Sequence, residues 1–472
     1  MTGEMFPFVH LFKSQGNFYV YDVNTNQIVR ISSALYGYLK TLGNGEVALK
    51  NESLHEELLS LQNKGYLGSH HPKRIIRQDT EDLEYYLNHR MCEMILQVTQ
   101  SCNFACRYCK YSYDPTGLNH RHNNRFMTWD MAKKCIDFIA ARSRDTNFIS
   151  IAFYGGEPLL NFPLIKKSIE YAENIFQGKK QRYAMTSNGS LLSLEIAEYL
   201  MKKNVSLTIS LDGPQDIHDK NRKNGKDGQG TFLNVYNNLL KVRETFPDYY
   251  QKIKYNSVLD PLNNIRDVNH FFAQDLFKGS FVNTPLVKLN DTERLFFPGV
   301  SLEEYNKDKF LALLAMTGVC DPSEITKIAR TYYELLIKFK KNLSIGSMLP
   351  SEFGVGGTCK LGALRAFVTL DGRIYPCEKI DDESKSMQIG TIDKGFDFSH
   401  IKKLYNMFGL LDGKCNYCWN LRLCNICPMR IDAGDSLSKD KLSIECRNEK
   451  RNSETMLKAL IAVAEAVDSM NC

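Results

Sequence analysis

Three features are scarce in this sequence of 472 residues, and each absence excludes something. Dense basic blocks are missing: 60 Lys and Arg against 54 Asp and Glu leave a net charge of +6, spread thinly along the chain. That describes a slightly basic surface and not a nucleic-acid face. Long apolar runs are missing as well. A bilayer crossing needs about 20 apolar residues, and the stretch from Ala459 to Val467 is too short and carries Glu465. The N-terminus has no basic segment leading into an apolar core, so no targeting signal is read there. The expectation is a cytoplasmic protein with neither a membrane nor a nucleic acid among its partners. At 43% hydrophobic and 24% charged residues the composition is that of an ordinary globular chain, long enough for several domains with substantial cores.

Cysteine is what the chain does have, fourteen in all. In a reducing compartment, closely spaced cysteines in a large protein point to metal binding and not to disulfides. Cys102, Cys106 and Cys109, with three and then two residues between them, follow an apolar run containing Met94, Ile95, Leu96 and Val98. Three thiolates can wrap one face of a 4Fe–4S cube and leave the remaining iron open. A structural zinc takes a fourth protein ligand, and none lies nearby in sequence. A second set begins with Cys359 and Cys377, either side of a hairpin pattern turning at Asp371-Gly372. It continues through Cys415, Cys418, Cys424 and Cys427, spaced by two, five and two residues, to Cys446. Paired Cys-x-x-Cys units are a strong metal signal, with a zinc ribbon as the plain alternative. Of the others, Cys135 shares a helical face with Met131, Ala132, Ile136 and Ile139 and reads as core, and Cys92 reads as structural.

Between the two sets, short apolar strands at Phe148–Tyr154, Tyr183–Ser187, Val205–Leu211, Ile253–Leu259 and Ser280–Asn283 alternate with helices. The helices lie near Trp129–Arg142, Leu164–Phe176, Leu194–Lys202, Phe232–Thr245 and Ile265–Asp275. With the strand before the first cysteines this is a six-fold β/α succession, which predicts an α/β fold, a partial (β/α)6 TIM-like barrel. Chemistry in such barrels sits at the C-terminal ends of the strands. There the sequence places Tyr154-Gly-Gly-Glu-Pro158, in which Gly155 and Gly156 let the backbone pass close to a ligand and Glu157 can accept from an ammonium group. The next two strands end in Thr186-Ser-Asn-Gly189 and Ser210-Leu-Asp-Gly-Pro214. Ser187, Asn188 and Ser210 suit a ribose or a carboxylate, and Arg222 suits a carboxylate.

The cysteine loop followed by these turns in this order resembles the radical S-adenosylmethionine (SAM) enzymes, over about residues 90 to 285. The resemblance implies a cluster on Cys102, Cys106 and Cys109, SAM on its open iron, and cofactor contacts from Tyr108, Gly155, Gly156, Glu157, Ser187, Asn188, Ser210 and Arg222. The later set resembles the SPASM extension, which carries two auxiliary 4Fe–4S clusters and brings the expected total to three. Carried over by position, Cys415, Cys418, Cys424 and Cys446 would ligate the outer cluster, and Cys359, Cys377 and Cys427 the inner one. The sequence departs from that pattern twice. The last Cys pair has two intervening residues where three are usual, so ligands can swap between clusters. No cysteine closely follows Cys359, and Cys320 lies far upstream, so an inner cluster with an open iron is the preferred expectation. Such an iron can hold a substrate thiolate.

Residues 1–75 read as a separate α+β module. Phe18–Val23 and Gln27–Ile31 flank a turn at Asn24-Thr-Asn26, and two helical stretches follow, Ala34–Leu42 and Leu54–Gln62, with Leu54, Leu58 and Leu61 on one face. This looks like the winged-helix peptide-recognition element of enzymes that modify ribosomally made peptides, which adds a leader peptide to its sheet edge. The remaining divisions are a polar linker at 76–90 with His70 and His71 solvated just before it, the barrel at 91–290, a helical linker at 291–350, and the SPASM region at 351–472. The whole arrangement resembles the maturases of ranthipeptides and sactipeptides, which form thioether crosslinks. The resemblance implies a precursor peptide and a reductant such as flavodoxin or ferredoxin as partners. Carbon–carbon crosslinking, formylglycine formation in sulfatases, and metal-stabilised peptide binding without catalysis are the rival readings.

Overall fold

The computed structural model describes residues 6–46, 52–109, 111, 123–286, 299–343, 348–355 and 359–470; Cys472 lies outside them. Strands β1 (Val9–Ser14), β2 (Asn17–Asp22) and β3 (Gln27–Ile31) form an antiparallel sheet in that order, followed by α1 (Ser33–Gly43) and α2 (Glu52–Asn63). Alternation along the strands sends two sets of side chains to opposite faces. Val9, Val20 and Ile31 pack with Leu35, Leu39, Leu54 and Leu61 from the helices. Phe12, Tyr19 and Tyr21 face the other way and pack against Phe408, Leu421 and Leu423 of the cysteine-rich region. The expected hairpin and both helices are present, and Leu58 lies half-buried beside Leu54 and Leu61.

The segment after this module is not a free tether. Strand β4 (Arg74–Ile75) pairs with residues 352–353, and α3 (Leu83–His89) buries Leu83 and Leu87 completely in the main core. The charged residues around them hide this apolar pair, which sits four apart on one helical face. His70 is exposed, as expected, but His71 is not simply solvated: its ring lies 4.1 Å from Phe8 and 4.9 Å from Tyr417.

The barrel follows. Strand β5 (Glu93–Thr99) leads into the cysteine loop and a short β6 (Phe104–Cys106). Then come α4 (Trp129–Ala141), β7 (Phe148–Gly155), α5 (Phe162–Ile175), β8 (Lys180–Ser187), α6 (Leu194–Lys202), β9 (Val205–Ser210), α7 (Gln215–Asn221) and β10 (Arg222–Asn224). Helices α8 (Phe232–Thr245) and α9 (Pro247–Tyr250), β11 (Lys254–Asn256), α10 (Ile265–Phe272) and β12 (Val282–Asn283) complete the succession. Strands β5, β7, β8, β9, β11 and β12 lie side by side and parallel, in sequence order. The last two are shorter than the sequence suggests, and beyond β11 the described residues continue the pairing through an isolated bridge between Leu259 and Leu286.

Helices α11 (Gly299–Thr317) and α12 (Lys327–Asn342) form the expected helical stretch. Strand β13 (Glu352–Phe353) is the partner of β4. The hairpin β14 (Ala366–Val368) and β15 (Arg373–Tyr375) then joins the barrel sheet, with β14 parallel to β5, and β16 (Gly390–Thr391) and β17 (Gly395–Phe396) extend it. The result is a ten-stranded mixed sheet running across the expected boundary at 351, so the cysteine-rich region and the barrel share one core. Helix α13 (Phe398–Tyr405) and the long α14 (Lys439–Met470) follow. Among the described residues no helix is long and apolar enough to cross a membrane.

Candidate functional site

At the end of β5 the register shifts between Gln97 and Thr99, and the chain turns into the cysteine loop. The Thr99 hydroxyl donates to Arg125 O at 2.9 Å and accepts from Ser101 N at 2.9 Å, which fixes the entry. Strand β6 pairs antiparallel with β10, setting Cys106 opposite Arg222, and Cys109 N closes a turn onto Cys106 O at 3.1 Å. Burial pushes the Cys102 thiol up to about 12 and the Cys106 thiol up to about 11. Cys102, Cys106 and Cys109 act on one another electrostatically, so the loop brings all three to one place.

Gly155 and Gly156 lie directly against this loop. A Cβ on Gly155 would sit 2.0 Å from Thr99 O, and one on Gly156 would sit 2.1 Å from Ser101 O. Gly156 N and Glu157 N donate to those same two carbonyls, at 3.0 and 2.9 Å. The backbone at both glycines therefore packs closely on the cysteine loop. The Glu157 carboxylate, expected to meet an ammonium group, is completely buried and occupied by the protein. It accepts from Ser187 Oγ at 2.8 Å, Asn188 N at 2.7 Å and Leu159 N at 3.0 Å. Burial raises this carboxyl to about 7 against the pull of those donors. Its role in the structure is to fasten the end of β8 to the end of β7.

Asn188 Nδ2 donates to Asn103 Oδ1 at 2.8 Å, and Asn103 Nδ2 donates to Ser190 Oγ at 2.8 Å, which ties the third strand end to the cysteine loop. Ser210 is half-buried at the end of β9. Beyond it lies a residue that strand-end reasoning passed over. Asp212, 1% exposed, accepts from the Tyr108 hydroxyl and lies 3.1 Å from Arg222 Nε. Arg222 in turn stands 5.3 Å from the centre of the Tyr108 ring and 3.9 Å from Cys106 Sγ. Asp212 belongs to the turn already singled out, but its partners sit 104 residues upstream and 10 downstream, and only the fold joins them.

The seven later cysteines fall into two groups. Cys415, Cys418, Cys424 and Cys446 line one opening of about 290 Å³, with Phe408, Leu421 and Ile426 between them. Cys359, Cys377 and Cys427 act on one another electrostatically, and Cys359 and Cys427 line a separate opening of about 360 Å³ beside Arg77 and Tyr405. Among the described residues no three His, Cys, Asp or Glu side chains form a group able to share a single ion. All-thiol sets of three, three and four are the donor chemistry that iron–sulfur clusters take. Cys320 packs in a small cluster with Ala315, Ile325 and Ala329 instead of joining Cys359. Cys135 is core, and Cys92 donates to Leu364 O at 3.5 Å.

Comparison with known proteins adds a second line of observation. Residues 96–274 match the family model of the Radical SAM superfamily. The chain is 38% identical over 138 residues to an uncharacterised protein of Methanocaldococcus jannaschii, covering 29% of this chain and 44% of that one. It is 26% identical over 288 residues to the radical SAM cyclopropyl synthase TigE of Paramaledivibacter caminithermalis, covering 58% and 57%. It is 24% identical over 386 residues to a cysteine-type anaerobic sulfatase-maturating enzyme of Clostridium perfringens, covering 79% and 98%. The chain thus spans about half the length of the first two relatives and nearly all of the third. The solved structure of native anSMEcpe with bound AdoMet shares the fold, with a TM-score of 0.56 at 19% identity over 80% of this chain and 100% of that one.

Proposed function

From the match of residues 96–274 to the Radical SAM superfamily model, we propose that this chain is a radical SAM enzyme that modifies a ribosomally made peptide, joining a substrate cysteine sulfur to carbon. The observation that carries the reading is the sorting of ten cysteines into sets of three, three and four. A 4Fe–4S cluster with SAM on its open iron supplies, when reduced, a 5′-deoxyadenosyl radical able to remove a hydrogen atom from substrate. Cys102, Cys106 and Cys109 would hold that cluster. Cys415, Cys418, Cys424 and Cys446 would hold a fully ligated second one, and Cys359, Cys377 and Cys427 a third with one position left for the substrate thiolate.

The chain's own residues position and exclude. Tyr108, Ser210 and Arg222 would contact SAM, while Glu157, Ser187 and Asn188 lock the turns at the ends of β7 and β8. Leu361, Leu404, Met407 and Phe408 line the three-cysteine opening and would give it an apolar wall. Strand β3 pairs only with β2 among the described residues, so its outer edge is open to a leader peptide as an added strand. A second reading, formylglycine formation in a sulfatase, is favoured by the 98% coverage of the sulfatase-maturating relative. About a fifth of this chain has no counterpart in that match.

Mass spectrometry separates the readings. Reconstituted enzyme with SAM, reductant and the precursor peptide encoded beside its gene should yield a peptide two hydrogens lighter, with a cysteine no longer open to alkylation. An equally lighter peptide whose thiols all alkylate indicates a carbon–carbon bond. Loss of sulfur from a sulfatase-motif cysteine indicates formylglycine, and no 5′-deoxyadenosine at all indicates a binding protein.

A further inference from the structure

The least expected feature near the cysteine loop is a closed polar ring beneath Cys106. It begins at Asp212, immediately after β9. One carboxylate oxygen accepts from Val258 N at 3.1 Å, and the other accepts from the Tyr108 hydroxyl and makes an ion pair, without a hydrogen bond, with Arg222 Nε 3.1 Å away. Asp212 N donates to His218 Nδ1 at 3.4 Å, so the other ring nitrogen carries the proton and donates to Thr231 Oγ1 at 3.1 Å. The Thr231 hydroxyl then donates to Arg222 O at 3.0 Å, closing the ring at the residue where it first met a charge. Asp212, His218, Thr231 and Arg222 are all buried, Arg222 at 6% exposure. A guanidinium held this way has two consequences. It cannot swing into solvent, because both its backbone and its side chain are fixed. Its remaining edge is directed at Cys106, with Nη1 3.9 Å from Sγ.

The geometry points to Asp212 as a positioning residue that fixes Arg222 on the sulfur of Cys106, so that the guanidinium tunes a cluster held there even before SAM is bound. The inference rests on the radical SAM reading above and adds to it an action of Arg222 on the protein's own thiolate. The physical reason is direct. A reduced cluster carries one more negative charge than an oxidised one, and a cation donating toward a ligating sulfur stabilises the more negative state. The neutral Asp212–Arg222 pair also explains how an arginine is tolerated in this interior, since an unpaired one would be prohibitively costly.

The test uses the full chain, reconstituted anaerobically, with iron counted in each variant and the reduction midpoint followed by EPR in the absence of SAM. Arg222→Gln should move the midpoint to more negative potential, whereas Asp212→Asn, which leaves the guanidinium charge uncompensated, should move it to less negative potential; both should alter the reduced-state spectrum. Arg222→Lys, which keeps the charge but not the planar fork, should fall between Arg222→Gln and wild type. Should those variants fail to retain iron, Tyr108→Phe removes a single hydroxyl from Asp212 and should give a smaller shift of the same sign as Arg222→Gln. The inference is overturned if iron-replete variants bind SAM ten-fold or more weakly while the SAM-free midpoint and spectrum match wild type, because Arg222 then acts on SAM alone. It is equally overturned if only thermal stability changes. A wild-type chain with no 4Fe–4S signal would instead defeat the radical SAM reading itself.

Discussion

At the scale of single residues, the site depends on close packing of backbone against backbone. Gly156 is required because Ser101 O lies where its Cβ would be. Backbone, unlike a flexible side chain, cannot yield by that much, so Gly156→Ala should displace the cysteine loop and lower the iron retained after reconstitution severalfold at unchanged helical content. Iron analysis with circular dichroism checks this. His218 makes a second, independent prediction. Burial, then the charge of Arg222, hold its imidazole down at about 2 from an ordinary 6.5. The folded chain therefore binds fewer protons at this site than the unfolded chain does below the ordinary value. The resulting stability is complete above pH 6.5 and is lost as pH falls, by up to about 1.4 kcal/mol per pH unit. His218→Gln should flatten that part of the stability profile, measured as denaturant midpoints across acidic pH.

At the scale of elements, α3 shows where burial lies. Leu87→Ala empties a fully buried position between α3 and the sheet and should cost about 2–5 kcal/mol, read from urea unfolding. A charged face conceals that helix in the sequence, and the ten-stranded sheet is concealed for a related reason. Strand β14 pairs Ala366 with Met94, and no local pattern signals a partner that far away. What was legible was local. The cysteine spacings, the strands with polar turns at their ends, the hairpin about Asn24–Asn26 and the core character of Cys135 all depend on neighbours within a turn or a strand. The tasks of Glu157, Asn103 and Asp212 depend on contacts across the barrel, and only the fold supplies them.

At the scale of the whole molecule, the N-terminal module is fastened to the loop bearing the four-cysteine group. His10 stacks on Trp419 with ring centres 3.7 Å apart, and Arg422 donates to Val23 O and Asn24 O at 2.7 and 2.9 Å. Trp419 lies between Cys418 and Cys424 in sequence, so the proposed peptide-binding sheet and the proposed outer cluster share one support. Trp419→Ala should raise amide exchange in β1 and β2 at least ten-fold while leaving β7 and β8 protected. Unchanged exchange in β1 and β2 would mean the two parts are held together by other contacts.

The central claim is that Cys102, Cys106 and Cys109 hold a cluster that cleaves SAM. Its most direct test is 5′-deoxyadenosine released by the anaerobically reconstituted, reduced chain. Wild type should release it, and the variant with all three cysteines changed to alanine should release none while keeping the iron of the other two groups. Equal release from both proteins, or a wild type that purifies with zinc and releases none, would contradict the account.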